Sequence, residues 1–266
     1  MKMKKGLITL LIVALMIALV GCNSNETTEK EEGQGENTSK RTLTVGTSAD
    51  FPPFETIDTK GEIVGFDIDL VKEIGKELDA EIVLENTEFS GLVAAVQTGK
   101  IDLAISGMSV DKERAKKVNF SDPYYEAYQT LVVKSDSEGI KNMDELTGKI
   151  VGSQLGTTSD DVIMTFEGVE VKKYNKATDA IQDLKNGRIN AVIIEDSIAS
   201  EFVAKNTELK IVTPEGLNTE TVPFAMALPK DSDDLLKEVN EALQSIKESG
   251  KYDELLSKWN LVKFEK

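Results

Sequence analysis

From Arg41 onward, short β-branched runs alternate with helix-spaced apolar residues, and this alternation restricts the available architectures more than any other feature of the chain. "TLTVGT" (42–47), "EIVLEN" (81–86), "DLAIS" (102–106), "TLVVK" (130–134), "KIVGS" (149–153), "NAVII" (190–194) and "FAMAL" (224–228) read as strands. Between them Leu70, Val71, Ile74 and Leu78 keep helical spacing, as do Leu92, Val93 and Val96, and Ile181 and Leu184 lead to a stop at Gly187. Asp231 to Trp259 reads as two helices broken at Gly250, with Asp231 and Ser232 as N-cap candidates. Such alternation implies α/β architecture with mainly parallel sheets. The segments 41–106 and 142–213 repeat one grammar, and "VQTGKIDLAIS" lies directly over "LKNGRINAVII". Helix–Gly–strand turns look alike in many α/β proteins, so duplication and coincidence both account for this. Under either, two small sheets fit better than one large one.

The N-terminus opens with Lys2, Lys4 and Lys5, followed by an apolar run from Gly6 to Gly21. This reads as a secretory signal, 1–21, because the run is shorter than the ~20 residues of a membrane span and ends in small residues. "LVGC" (19–22) resembles the lipobox of bacterial lipoproteins, which implies lipid attachment at Cys22 and a place on the outer face of the bacterial cell membrane. Cys22 is the sole cysteine, so no intrachain disulfide can form. Residues 22–40 are polar and acidic, too poor in apolar surface to fold, and read as a flexible tether.

A formal net charge of −16 argues against nucleic acid as a partner. The chain holds no histidine, which removes Ser-His-Asp and Cys-His catalysis and the commonest metal ligand. Neither a metal nor a cofactor is expected. Asp67 and Asp69 open the helix expected over 68–78, and are read as carboxylates favoured by the helix dipole, not as a catalytic or metal pair.

"GFDIDLVKEIGKEL" (65–78) resembles the signature of the family 3 extracellular solute-binding proteins, the amino-acid receptors of ABC importers. "ADFPPFE", "FSGLVAAVQTGKIDLAISGMS", "ERAKKVNFSDPYY", "GTTSD" and "IIEDSIA" follow in that family's order and spacing. The resemblance covers Arg41 to Lys266. It implies a type II periplasmic-binding-protein-like fold, with two α/β lobes and two mixed sheets joined by two crossover strands. Lobe 1 would be 41–128 plus 225–266, lobe 2 would be 129–224, and the hinges would lie near 124–129 and 220–224. The implied partners are one free L-amino acid, an ABC permease and the membrane through Cys22, with the protein itself monomeric.

The resemblance also assigns site residues. Arg114, following a strand and a loop of small residues, matches the carboxylate-binding arginine; a guanidinium fork suits a carboxylate bidentately. Ser106, Gly107 and Ser109 form a close-approach loop, Ser109 matching a backbone and hydroxyl contact and Gly107 a carbonyl facing the ammonium. Thr157 and Thr158 in "GTTSD" resemble an anion nest at a helix start, although residues of this type more often serve as caps. Asp196 matches the ammonium-binding acid, with Glu195 pointing elsewhere by strand alternation, toward the side-chain slot. Phe51 and Phe89 match two aromatics flanking the ligand stem. Ser48 and Gln154 are uncharged at side-chain positions, which suits glutamine, whereas Glu195, with Glu88 or Asp50 as neighbouring acids, and the aromatic faces suit arginine or lysine. A dehydratase-type enzyme on the same fold is the rival reading, with Glu195 as its acid.

Overall fold

In the computed structural model, residues 40–262 are described. The expected signal peptide, Cys22 and the expected tether up to residue 39 lie outside the described residues, as do 263–266.

Two five-stranded sheets carry the fold, each with three parallel strands, a fourth antiparallel to them and a fifth antiparallel to the fourth. The first runs Ala80–Asn86, Arg41–Thr47, Leu103–Ala104, Ala227–Leu228 and Asn119–Phe120. The second runs Glu170–Tyr174, Ile150–Gln154, Ala191–Glu195, Gln129–Lys134 and Leu209–Val212. In each sheet the fourth strand is the one that arrives straight after the chain has crossed from the other. The crossings are Tyr125–Ala127 and Val222–Phe224, which pair antiparallel with Val222 opposite Ala127. These are two mixed sheets joined by two crossover strands.

Alternation sorts the core. In Ala191–Glu195, Val192 and Ile194 pack toward the helices Ala177–Lys185 and Asp196–Lys205, through Ala180, Ile181, Leu184, Ile198 and Phe202. Ala191 and Ile193 face the other side, against Leu131, Val151, Ile163 and Leu217. In the first sheet, Leu43 and Val45 meet the helix Phe66–Glu77 and the C-terminal helices Asp233–Glu248 and Lys251–Lys258. The opposite face carries Phe89, Leu92 and Val96 of the helix Phe89–Gln97. Each large side chain so buried contributes about 1.5–3 kcal/mol.

Several details differ from the sequence expectation. "DLAIS" keeps only Leu103–Ala104 as strand, and "FAMAL" divides into the end of the crossover Val222–Phe224 and the strand Ala227–Leu228. The edge strands Glu170–Tyr174 and Leu209–Val212 were not expected individually. Asp50–Phe51, Glu55–Ile57 and Ile63–Val64 make a small antiparallel sheet where only an extended loop was read. The first helix begins at Phe66, two residues early, and Ser232 caps Asp233–Glu248 without a side-chain bond.

Candidate functional site

The site lies where the carboxyl ends of the parallel strands of both sheets face each other, the usual ligand position in open α/β sheets. Thr47 leads into Ser48 and Asp50, Ala104 into Ser106 and Gly107, and the second sheet brings Gln154 and Glu195. Five hydrogen bonds close this space from one sheet's side to the other. Asp50 accepts from the Ala177 N–H at 2.7 Å and from Gln154 Nε2 at 3.2 Å. The Ser109 and Thr158 hydroxyls meet at 3.2 Å, Arg114 donates to the Gly156 carbonyl at 2.8 Å, and Asn175 donates to Glu88 at 2.9 Å.

Arg114 is 8 % exposed although its helix, Lys112–Ala115, lies at the surface. Asp111 caps that helix through the N–H groups of Glu113 and Arg114, and its other oxygen pairs with Arg114 Nε at 3.0 Å. Nη1 donates to the Ser109 carbonyl at 2.7 Å, and the guanidinium stands 5.3 Å over the Phe89 ring. Three of the five guanidinium N–H groups are engaged, on Asp111, Ser109 and Gly156, so two remain. Burial lowers the Arg114 pKa, opposed by Asp111, Glu195 and Asp161. Lys116 is spent instead on an exposed pair with Glu113.

Opposite Arg114, Glu195 is 2 % exposed. Its Oε1 accepts from Gln129 Nε2 at 3.0 Å and from the Thr158 hydroxyl at 3.3 Å. Oε2 is buried and has no partner among the described residues. Burial raises the Glu195 pKa, while the bonds from Gln129 and Thr158 and the charge of Arg114 pull it down. Asp196 stands elsewhere. It accepts from the Tyr128 N–H at 3.1 Å and lines an outer groove with Pro53, Tyr125 and Trp259. Its pKa is raised by burial against backbone hydrogen bonds. The expectation gave Asp196 the ammonium and Glu195 the side-chain slot; the structure buries Glu195 opposite Arg114 and sets Asp196 in the outer groove. The physical reason is register: Glu195 is itself the last strand residue, continuing the Ala191 and Ile193 face directly opposite Gln129.

The remaining expected residues divide by what holds them. Phe51 is 6 % exposed and lies against Gly107, whose φ is +48°; a Cβ there would fall 2.9 Å from the ring. Phe89 is 8 % exposed. The Ser48 hydroxyl donates to Asp50 at 2.9 Å, and Gln154 donates to Asp50 and to the Asn175 carbonyl at 3.1 Å. The Ser106 hydroxyl accepts from the Ser48 N–H at 3.1 Å and donates to Glu55 at 2.7 Å, beneath the loop. Thr157 is committed as a cap, accepting from Asp160 N and donating to the Gln154 carbonyl. Thr158 reaches Ser109, Gln129 and Glu195. A narrow cavity is lined by Phe51, Gln154, Thr157, Ser159, Ala177 and Glu195, among others.

The sequence reading missed Gln129 and gave Asp50 only a neighbouring place. Asp50 is 5 % exposed, and burial raises its pKa against bonds from Ser48, Ala177 and Gln154. It also missed the depth of Asp67, which is fully buried and accepts from the Gly107 N–H at 2.8 Å and Tyr124 hydroxyl at 2.7 Å. Asp69 does stay at the helix start, bonded to Lys258 and Trp259. Among the described residues, no cluster of three or more His, Cys, Asp or Glu could hold a metal ion.

Comparison with known proteins identifies the family and the fold. The model of the bacterial extracellular solute-binding proteins, family 3, matches residues 43–262. The arginine-binding extracellular protein ArtP of Bacillus subtilis (strain 168) is 35 % identical over 260 residues, 97 % of this chain and 98 % of that one. A solved ancestral arginine-binding protein bound to arginine has a TM-score of 0.78 at 43 % identity, covering 82 % of this chain and 97 % of its own. An ancestral arginine-binding protein bound to glutamine gives 0.77 at 43 % identity, with the same coverage. With nearly all the described residues inside the family model and two crossover strands joining the sheets that enclose Arg114 and Glu195, the chain belongs to the bacterial extracellular solute-binding proteins of family 3.

Proposed function

We propose that the protein captures a free L-amino acid outside the cell, L-arginine first, and delivers it to an ABC-transporter permease. The observation that carries this reading is the opposed pair inside the cleft. Among the described residues, Arg114 has two N–H groups left to give, and Glu195 holds a buried oxygen with no donor. A zwitterion supplies what each lacks: a carboxylate for the guanidinium fork and an ammonium for the Glu195 carboxylate. Asp196 is not assigned the ammonium, since its carboxylate anchors the Tyr128 N–H.

In this reading the Phe51 and Phe89 rings flank the ligand stem. Ser106, Gly107 and Ser109 line one wall, and Thr157 and Thr158 line the other. Ser48 and Gln154 meet the far end of the side chain. Asp50 lies between those two, and its charge favours a guanidinium over an amide there. ArtP and the ancestral protein are named for arginine, which supports the same order. Ligand binding stabilises closure of a lobe formed by 41–128 plus 225–266 on a lobe formed by 129–224. We further infer a lipid anchor at Cys22 and a monomeric protein on the outer face of the membrane. A Cys22→Ala variant should be released from the membrane fraction, and its retention there would overturn the anchor.

Binding without turnover suits Glu195, which serves as an acceptor for Gln129 and Thr158 and stands near a cation. The dehydratase alternative requires it to act as an acid. Turnover of a keto-acid precursor, lost in Glu195→Gln, would favour that alternative.

A thermal-shift screen against the twenty amino acids tests the proposal. L-arginine at 100 times its dissociation constant should add about 2.7 kcal/mol. At about 2–4 °C per kcal/mol for a chain of this size, the midpoint rises by several degrees. L-glutamine should give a smaller shift at equal concentration, and acidic amino acids none.

A further inference from the structure

Under the ligand-facing loop, Glu55 and Asp67 are both completely buried, and their carboxyls lie within hydrogen-bonding reach of each other. Every donor around them goes to one oxygen of each. Glu55 Oε1 accepts from the Ser106 hydroxyl at 2.7 Å. Asp67 Oδ2 accepts from the Gly107 N–H at 2.8 Å and from the Tyr124 hydroxyl at 2.7 Å. The other two oxygens, Glu55 Oε2 and Asp67 Oδ1, are buried with no donor among the described residues. Two ionised carboxylates in this arrangement would leave two buried charges with donorless oxygens close together, which desolvation and like-charge repulsion both oppose.

We propose that Glu55 and Asp67 share one proton between Glu55 Oε2 and Asp67 Oδ1, and that this proton-sharing pair positions the binding loop Ser106–Gly107. One proton gives both orphan oxygens a partner and leaves a single negative charge for three donors. Through Asp67 the pair fixes the Gly107 backbone against the Phe51 ring. Through Ser106 it holds the Ser48 N–H, and the Tyr124 hydroxyl ties it to the start of the first crossover. Glu55 and Asp67 are positioning residues and do not touch the ligand.

The titratable groups acting on the pair are Tyr124, Asp50 and, from the C-terminal helix, Tyr252. Burial raises both carboxyls; the charge of Asp67 raises Glu55 further, whereas the hydrogen bond to Glu55 lowers Asp67, so the shared proton resides mainly on Glu55. The sign follows from linkage. A group raised in the folded state contributes its stability fully below the ordinary carboxylate range and loses it as pH rises through the folded-state titration. Alkaline pH should therefore loosen the loop.

The proton itself is independent of the ligand, whereas its effect on affinity rests on the arginine reading, and the tests separate the two. The infrared spectrum of the ligand-free protein should contain a buried protonated-carboxyl band at neutral pH, absent in Glu55→Gln. Glu55→Gln and Asp67→Asn each replace the shared proton with an amide N–H, so each should keep L-arginine affinity within about threefold. The double variant sets two NH2 groups face to face and should lose about tenfold or more beyond the product of the singles. As pH rises, wild-type affinity should fall more steeply than that of Glu55→Gln; the ligand's own ammonium titration is common to both. No protonated-carboxyl band, or a double variant equal to the product of the singles, would overturn the proposal. If Glu55→Gln fails to fold, Asp67→Asn and the wild-type spectrum carry the same test. A band without any amino-acid binding would leave the shared proton standing and overturn the arginine reading alone.

Discussion

Arg114→Ala should remove detectable L-arginine binding while Lys116→Ala and Lys117→Ala leave it unchanged. The three residues share one basic run, yet only Arg114 folds inward, held by Asp111, the Ser109 carbonyl and the Gly156 carbonyl. Truncating a buried, hydrogen-bonded charge at a binding site costs about 2–5 kcal/mol, or roughly thirtyfold to several-thousandfold in affinity. The variant also loses the bond to Gly156, one of the contacts between the two sheets, so the closed arrangement weakens with it. Arg114→Lys should recover little, because a point charge replaces a fork that reaches several acceptors at once. Titration of the three alanine variants checks this. Equal losses in all three would mean that the run acts as bulk charge and that the geometry around Arg114 is irrelevant to binding.

The largest stability loss is expected at Gly65. Its φ of +149° opens the helix Phe66–Glu77, and a Cβ there would lie 1.9 Å from the Phe54 carbonyl oxygen. That oxygen cannot retreat freely, because it accepts the Asp67 N–H at 3.0 Å. Gly65→Ala should therefore cost at least about 3 kcal/mol and lower the melting midpoint by roughly 6–12 °C. Gly99 and Gly187 also have positive φ, but nothing lies within 4 Å of a Cβ at either. Their alanine variants should lose only about 1 kcal/mol. Thermal unfolding of the three variants separates steric conflict from backbone preference; similar losses would rule out the close approach at Gly65. Because the next residues carry Asp67 under the binding loop, Gly65→Ala should also weaken ligand binding in whatever fraction remains folded.

The central strands were legible because both of their faces are buried and their β-branched runs are continuous. Leu131, Val132 and Val133 all lie in the core, as do Ile193 and Ile194. The edge strand Glu170–Tyr174 was not, since its exposed positions carry Glu170, Lys172 and Lys173 and leave too weak an alternation to read. The Gly-initiated helix and Arg114 were found through the family resemblance and local spacing. What sequence could not supply was non-local. Asp50 reaches the Ala177 N–H across 127 positions, and Glu55 meets Ser106 across 51. Gln129 is opposed to Glu195 only by sheet register. The placement of Glu195 and Asp196 had a local signal that was read one residue short. Once the strand runs Ala191–Glu195, counting by twos from Ala191 places Glu195 on the Ile193 face and turns Asp196 outward.

Calorimetric titration of L-arginine into the protein at neutral pH tests the central claim most directly. The account predicts saturable binding of one arginine per chain, tighter than that of glutamine, and abolished by Arg114→Ala. Absence of heat with arginine, together with no thermal shift from any of the twenty amino acids, would contradict it.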